Sequence, residues 1–198
     1  MIVDQKNNTY HRLESDLESK AMEIFLAMPD TDWVKAQDGP HYYVVEGILH
    51  KTIIDLVRYL LDGSREFVSI KAEGEAAREE EAKMKLLNNQ LPKDSRDRFL
   101  VMTDEQIRKA RVNASRHILR SRELATDVRT ARVHEALLEM GGRARVWEIS
   151  ERLTDLTCAQ VVTATWDMIA KGIAKHDHPA PERFLRSKGS WIRAVTKE

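Results

Sequence analysis

The sequence predicts a mainly α protein, with strand confined to a C-terminal hairpin and at most a short N-terminal pair. Three observations predict it. Apolar residues recur at steps of three and four over most of the chain, the spacing that lines one face of a helix. Glycine and proline are few, 8 and 5 in 198 residues, and aromatics are only 6%, a composition that favours helix. The segments that interrupt the periodic stretches are short and carry turn chemistry. The expected organisation is a helical assembly domain over residues 1–70, a charged helical linker over 71–102, and a basic domain over 103–198.

From the N-terminus, Tyr10, Leu13, Leu17, Ala21, Ile24 and Met28 form a helical stripe that Pro29 closes. Asp30-Thr31-Asp32 and Gln37-Asp38-Gly39-Pro40 read as turns. Tyr42 to Val45 reads either as a short strand or as the lead into the next helix. That helix is expected over 48–61, with Leu49, Ile53, Leu56, Val57, Leu60 and Leu61 along one side and Gly63 at its end. Phe67 to Ile70 alternates as a short strand does. Two such helices carry more apolar surface than they hide on each other. A symmetric dimer is the commonest way to bury the excess, so a homodimer through residues 1–70 is expected.

Residues 73–90 are the most polar part of the chain. In the run Glu79-Glu80-Glu81, Glu79 and Glu81 sit four residues before Lys83 and Lys85, which supports a solvated helix. Asn88-Asn89 and Pro92 end it, and residues 93–98 read as a charged connector. Thr103 and Gln106 have capping-box spacing, and Ile107, Ala110, Ala114 and Ile118 continue as a helical stripe. Between Thr103 and Met140 there is neither glycine nor proline, so one long helix or two helices meeting near Thr126-Asp127 both fit. Arg108, Arg111 and Arg116 belong to a basic run here. Such residues contact phosphates, and they equally suit a solvated face that meets the acidic N-terminal half.

The C-terminal third has the sharpest pattern. Val133 and Leu137 mark a helix over 128–140 that Gly141-Gly142 stops. Ile149 and Leu153 mark a second over 146–153, and three residues later Thr157 and Gln160 form a capping box. Val161, Ala164 or Thr165, and Met168 carry that third helix to Gly172. Strands are expected over 173–176 and 190–195, with Pro179 and Pro181 between them. Helix, helix, tight turn, helix and hairpin resemble a winged helix-turn-helix domain over residues 126–195. The resemblance implies that residues 157–171 enter the major groove and present Gln160, Thr163 and Asp167, with Trp166 preferred in the core over the outward face. Glutamine pairs with adenine and threonine meets the thymine methyl. The helix departs from the pattern in having no arginine, and Lys171 lies at the end away from the bases. Arg143 and Arg145 precede the second helix, and Lys175, Arg183, Arg186, Lys188 and Arg193 surround the wing. This distribution suits phosphate contacts, and it also suits a protein contact.

Charge and chemistry narrow the function. Residues 1–100 carry 14 Lys+Arg against 19 Asp+Glu, and residues 101–198 carry 18 against 13, so a neutral total hides halves of −5 and +5. The lone cysteine, Cys158, excludes an intramolecular disulfide and suits a cytoplasmic location. Neither a signal peptide nor a membrane-length apolar run is present. His134, His176, His178 and Cys158 lack the spacing of a metal site. No phosphate-binding glycine loop or nucleophile elbow occurs, so neither catalysis nor a cofactor is expected. The expected function is binding of duplex DNA, as a transcriptional regulator. The alternative is an adaptor or inhibitor that binds a nucleic-acid-processing protein.

Overall fold

A computed structural model describes residues 2–4, 7, 9–179, 185 and 189–195. The chain divides into two compact units, Met1–Arg108 and Lys109–Glu198. Among the described residues, no helix is long and apolar enough to cross a membrane.

The first unit overturns the mainly α expectation. Its centre is a four-stranded sheet of β3 (Thr31–Val45), β4 (Ile48–Leu60), β5 (Arg65–Lys71) and β6 (Arg98–Thr103), in that order. The first three strands are antiparallel, and β6 runs parallel to β5. Helix α1 (Asp16–Ala27) precedes the sheet, and α2 (Glu75–Asn89) makes the crossover between the parallel strands. A two-stranded ribbon, β1 (Ile2–Asp4) and β2 (Thr9–His11), lies at the start of the chain. The protein is therefore mixed α/β.

The main error lies at residues 48–61, expected as a helix and observed as β4. Its apolar residues fit a 3.6-residue period by spacing, yet burial follows the strand. Ile54 is fully buried while its neighbour Ile53 is 63% exposed. Thr52, Ile53, Ile54 and Val57 are β-branched, and their side chains pack better on a pleated surface than against a preceding helical turn. Gly63 caps no helix: at φ +84° it turns the chain between β4 and β5, and its N–H donates to the Leu60 carbonyl. The expected turn at Gly39-Pro40 is instead absorbed inside β3 as an irregularity in register between Asp38 and His41. A side chain at Gly39 would begin 3.0 Å from the Thr52 carbonyl oxygen, so the neighbouring strand also requires glycine there.

The expected helix from Tyr10 is shorter. Ser15 caps α1 by accepting from the Glu18 N–H, which leaves Tyr10 outside it in β2. Residues 71–102, read as a linker, lie within the first unit. Met84 and Leu87 of α2 pack with Ile54, Val57, Phe67 and Phe99 beneath the sheet. The Asn88 side chain clamps β6, donating to the Phe99 carbonyl and accepting from the Phe99 N–H, both at 2.7 Å. Across the sheet, the buried Arg58 guanidinium donates to Thr31, Glu66 and Asp30.

The second unit contains α3 (Lys109–Leu124), α4 (Asp127–Glu139), β7 (Arg143–Arg145), α5 (Val146–Arg152), α6 (Cys158–Ala170), β8 (Ala174–His176) and β9 (Trp191–Ala194). The strands form an antiparallel sheet in the order β7-β9-β8. Val133, Leu137, Ile149, Val161, Met168 and Ile192 share one core. The expected junction near Thr126-Asp127 is a break between helices, with Thr126 accepting from the Arg129 N–H. At Thr103 the Gln106 side chain does accept from the Thr103 N–H, but only a turn follows and α3 starts at Lys109.

Candidate nucleic-acid interface

Helix α6 starts where its capping residues require. The Thr157 hydroxyl accepts from the Gln160 N–H, and the Gln160 side chain accepts from the Thr157 N–H at 2.8 Å. Gln160 and Thr163 are half-buried, and the Thr163 hydroxyl donates to the Ala159 carbonyl. Gly172, at φ +68°, ends the helix and lets Ile173 N–H donate to the Met168 carbonyl.

Asp167, expected on the outward face, is buried, and Trp166 is buried as preferred. Asp167 is 5% exposed, accepts from the Thr130 hydroxyl of α4 at 2.7 Å, and pairs with Lys171 at 2.7 Å. It therefore does not confront phosphates. Trp166 is 3% exposed and stacks on His117 of α3, ring centroids 5.4 Å apart. By helical spacing, Trp166 and Ala170 project away from the core face of Val161, Ala164 and Met168. Both are nevertheless buried, Trp166 through its stack on His117 of α3. Only the first turns of α6, with exposed Cys158 and Ala159, reach solvent on that side.

Lys171 is committed locally as well. Its ammonium lies 2.8 Å from Asp127 and 2.7 Å from Asp167. Hydrogen bonds to Asp127 and then Asp167 hold its pKa above the ordinary lysine value, against the opposing effect of burial. Arg108 belongs to the first unit, where its Nε donates to the Glu105 carbonyl. Arg111 is half-buried and Arg116 exposed, both on α3. The expected wing residues Arg183, Arg186 and Lys188 lie outside the described residues.

Arg143, Arg145 and Lys175 converge on the outer face of the β7-β9-β8 sheet. In register across the strands lie Arg143, Arg193 and Lys175. Beside them are Arg145 and Trp191, also paired. The Trp191 ring has the Arg143 guanidinium carbon 4.3 Å and the Arg145 carbon 4.9 Å from its centroid. Asp177 accepts from Arg143 Nε at 2.6 Å and from Arg193 Nη2 at 3.2 Å. The hydrogen bond from Arg143 is the foremost influence on the Asp177 carboxyl, which lies below its ordinary pKa despite some desolvation. Among the described residues, buried Arg145 Nε has no hydrogen-bond partner. Sequence reasoning named Arg193 beside the wing but passed over Trp191, although alternation in Trp191-Ile192-Arg193 already signals one buried and one open face.

A second cluster lies in the first unit, where β4 and β5 part. Their pairing ends at Leu56 with Val68. Beyond that point β5 continues alongside β6 alone, as far as Lys71 with Thr103. Asp55 stands at the fork. Its carboxylate accepts from the Ile70 N–H at 2.6 Å and the Ser69 hydroxyl at 3.2 Å, with Lys71 Nζ at 3.8 Å. The signal missed in the sequence is an acid inside an apolar run, Ile53-Ile54-Asp55-Leu56-Val57, read there as one face of a helix. Among the described residues, no three His, Cys, Asp or Glu converge as a metal site.

The chain matches no family model and no curated protein. The functional reading therefore rests on these two arrangements.

Proposed function

We propose that the protein binds duplex DNA through a winged helix-turn-helix domain in its second unit, in the cytoplasm, as a regulator. The observation that carries this reading is the order of elements. After α4 come strand, helix, helix and two strands, with the last strand between the other two. Charge supports it: Lys109–Glu198 holds 17 Lys+Arg against 11 Asp+Glu. Because α6 has no arginine and its outward side is partly covered, binding falls on phosphates and discriminates weakly between sequences. Titrating the full chain with duplexes of unrelated sequence tests this. The expected result is similar affinity for all of them, falling steeply with salt. Absence of salt-dependent binding at low ionic strength would favour the protein-adaptor alternative.

A second reading, of what the protein does to DNA, is favoured by Asp55 in the strand fork. Magnesium is commonly held by one or two carboxylates together with substrate phosphates and water. In this reading the Asp55 carboxylate takes such a cation, and Lys71 stabilises charge developing on the phosphate. Water attacks phosphorus, one P–O ester bond breaks, and the leaving oxygen takes up a proton. This reading replaces the expectation of no catalysis with phosphodiester hydrolysis. Its test is nicking of supercoiled plasmid by the full chain with magnesium or manganese. Asp55→Ala and Lys71→Ala should each abolish nicking, and activity surviving Asp55→Ala would exclude the site.

A further inference from the structure

We propose that the outer face of the β7-β9-β8 sheet, rather than α6, receives the sugar–phosphate backbone of duplex DNA. This rests on the DNA-binding reading and specifies the surface that performs it.

Strand alternation separates the two faces cleanly. Inward, Ala144, Ile192 and His176 stand in register and are all buried. Outward, the strands and the residue following β8 present Arg143, Arg145, Trp191, Arg193, Lys175 and Asp177. Among the described residues, these four cations and one carboxylate sum to +3. Neighbouring strands lie about 4.8 Å apart, and same-face residues along a strand about 6.8 Å apart. The cations thus form a grid about 10 Å across, on the scale of successive phosphates along a nucleic-acid strand.

The grid is held in place before any ligand arrives. Asp177 fixes two guanidiniums through Arg143 Nε and Arg193 Nη2. Trp191 supports those of Arg143 and Arg145. A guanidinium has five N–H donors in a fixed fork, so one bond to Asp177 leaves others for a phosphate oxygen. Ordering these side chains in advance lowers the entropy lost on binding. Helix α6 offers no comparable surface. It lacks arginine, its Lys171 sits between two carboxylates, Trp166 is buried against His117 of α3, and Ala170 is buried. A polyanion of regular spacing is the partner that complements the sheet face.

The test measures anisotropy of a labelled 30-base-pair duplex against the full chain between about 50 and 200 mM salt, a range over which phosphate contacts dominate the affinity change. Three proteins are compared with wild type: the double variant Arg143→Ala/Arg193→Ala, the single variant Lys175→Glu, and Gln160→Ala in α6. Lys175 is exposed, so its variant probes the face even if the double variant misfolds. The double variant should flatten the log–log salt slope by about 2, and Lys175→Glu by at least about 1. Gln160→Ala should leave the slope unchanged. Wild type that binds, with both sheet variants unaltered and Gln160→Ala weakened, would overturn the sheet face and leave the DNA reading standing. Wild type that shows no salt-dependent binding would remove the DNA reading and this surface with it. Equal affinity and salt slope for polyglutamate and duplex would reassign the face to an acidic protein.

Discussion

At the residue scale, Asp167 shows how tertiary contact reassigns a side chain. A carboxylate on the outward side of a recognition helix would repel DNA, whereas here it accepts from Thr130 and Lys171. Asp167→Ala should cost about 1–3 kcal/mol, because it leaves a buried hydroxyl without its acceptor. Asp167→Asn, which retains an acceptor, should cost less; urea midpoints at constant slope measure both. Asp177 gives a pH dependence. Its folded pKa lies below its ordinary value, chiefly through the Arg143 hydrogen bond. Its stabilising effect is therefore full above the unfolded value of about 3.9 and is lost as pH falls through the folded one. Thermal midpoints of wild type should drop more than those of Asp177→Asn between pH 5 and pH 3, in units set by that linkage. Parallel curves would show that the clamp contributes nothing.

At the element scale, the decisive strand is β4. A helix over these residues would bury Leu49 and Ile53 along with Leu56, and the strand instead buries Ile54 and exposes Ile53. Ile54→Ala should cost about 2–5 kcal/mol, and Ile53→Ala within about 0.5 kcal/mol. Equal losses at both positions would contradict the strand. The α3–α6 contact carries a separate expectation. Burial first, and then Arg120, lower the His117 pKa below its ordinary value. Protonation thus opposes the folded contact, whose stability is full above about 6.5 and declines as pH falls through the folded value. Hydrogen-exchange protection factors in α3 should be smaller at pH 5 than at pH 7.5 in wild type. His117→Phe, which keeps a stacking ring without a charge, should remove the difference.

At the scale of the whole molecule, the two units carry opposite charge. Met1–Arg108 has 15 Lys+Arg against 21 Asp+Glu, and Lys109–Glu198 has 17 against 11. Phosphate binding is accordingly expected to come from the second unit, apart from the local Asp55 and Lys71 pair. A homodimer through residues 1–70 remains a proposal, now based on a strand arm. Tyr42, Val44, Leu49 and Ile53 are exposed on one face of the β3–β4 hairpin. Light scattering at tens of micromolar should give twice the chain mass, and Leu49→Asp/Ile53→Asp should return it to one. A monomeric wild type would exclude the dimer.

Local signals carried the second unit well. Thr157 with Gln160, Gly172 after Met168, and the Gly141-Gly142 pair describe caps whose geometry depends on a few neighbouring residues, and such signals survive in any fold that contains them. The alternation around Ile192 was equally available, because a strand with one face on a core repeats every two residues. Residues 48–61 were not legible in the same way. Flanked by β3 and β5, the second half of β4 has no exposed face, and its largely apolar run, interrupted by Asp55 and Arg58, satisfies a helical and a strand period alike. Its choice was made by distant partners: β3 and β5 supply the hydrogen bonds, and α2 supplies the apolar cover. The two candidate sites depend on the same long-range pairing. Asp55 meets Lys71 only because β4 and β5 diverge between them, and Arg143 meets Arg193 and Lys175 only because β9 enters between β7 and β8. Sequence spacing sets what adjacent turns can bond to, while strand order sets which remote side chains share a surface.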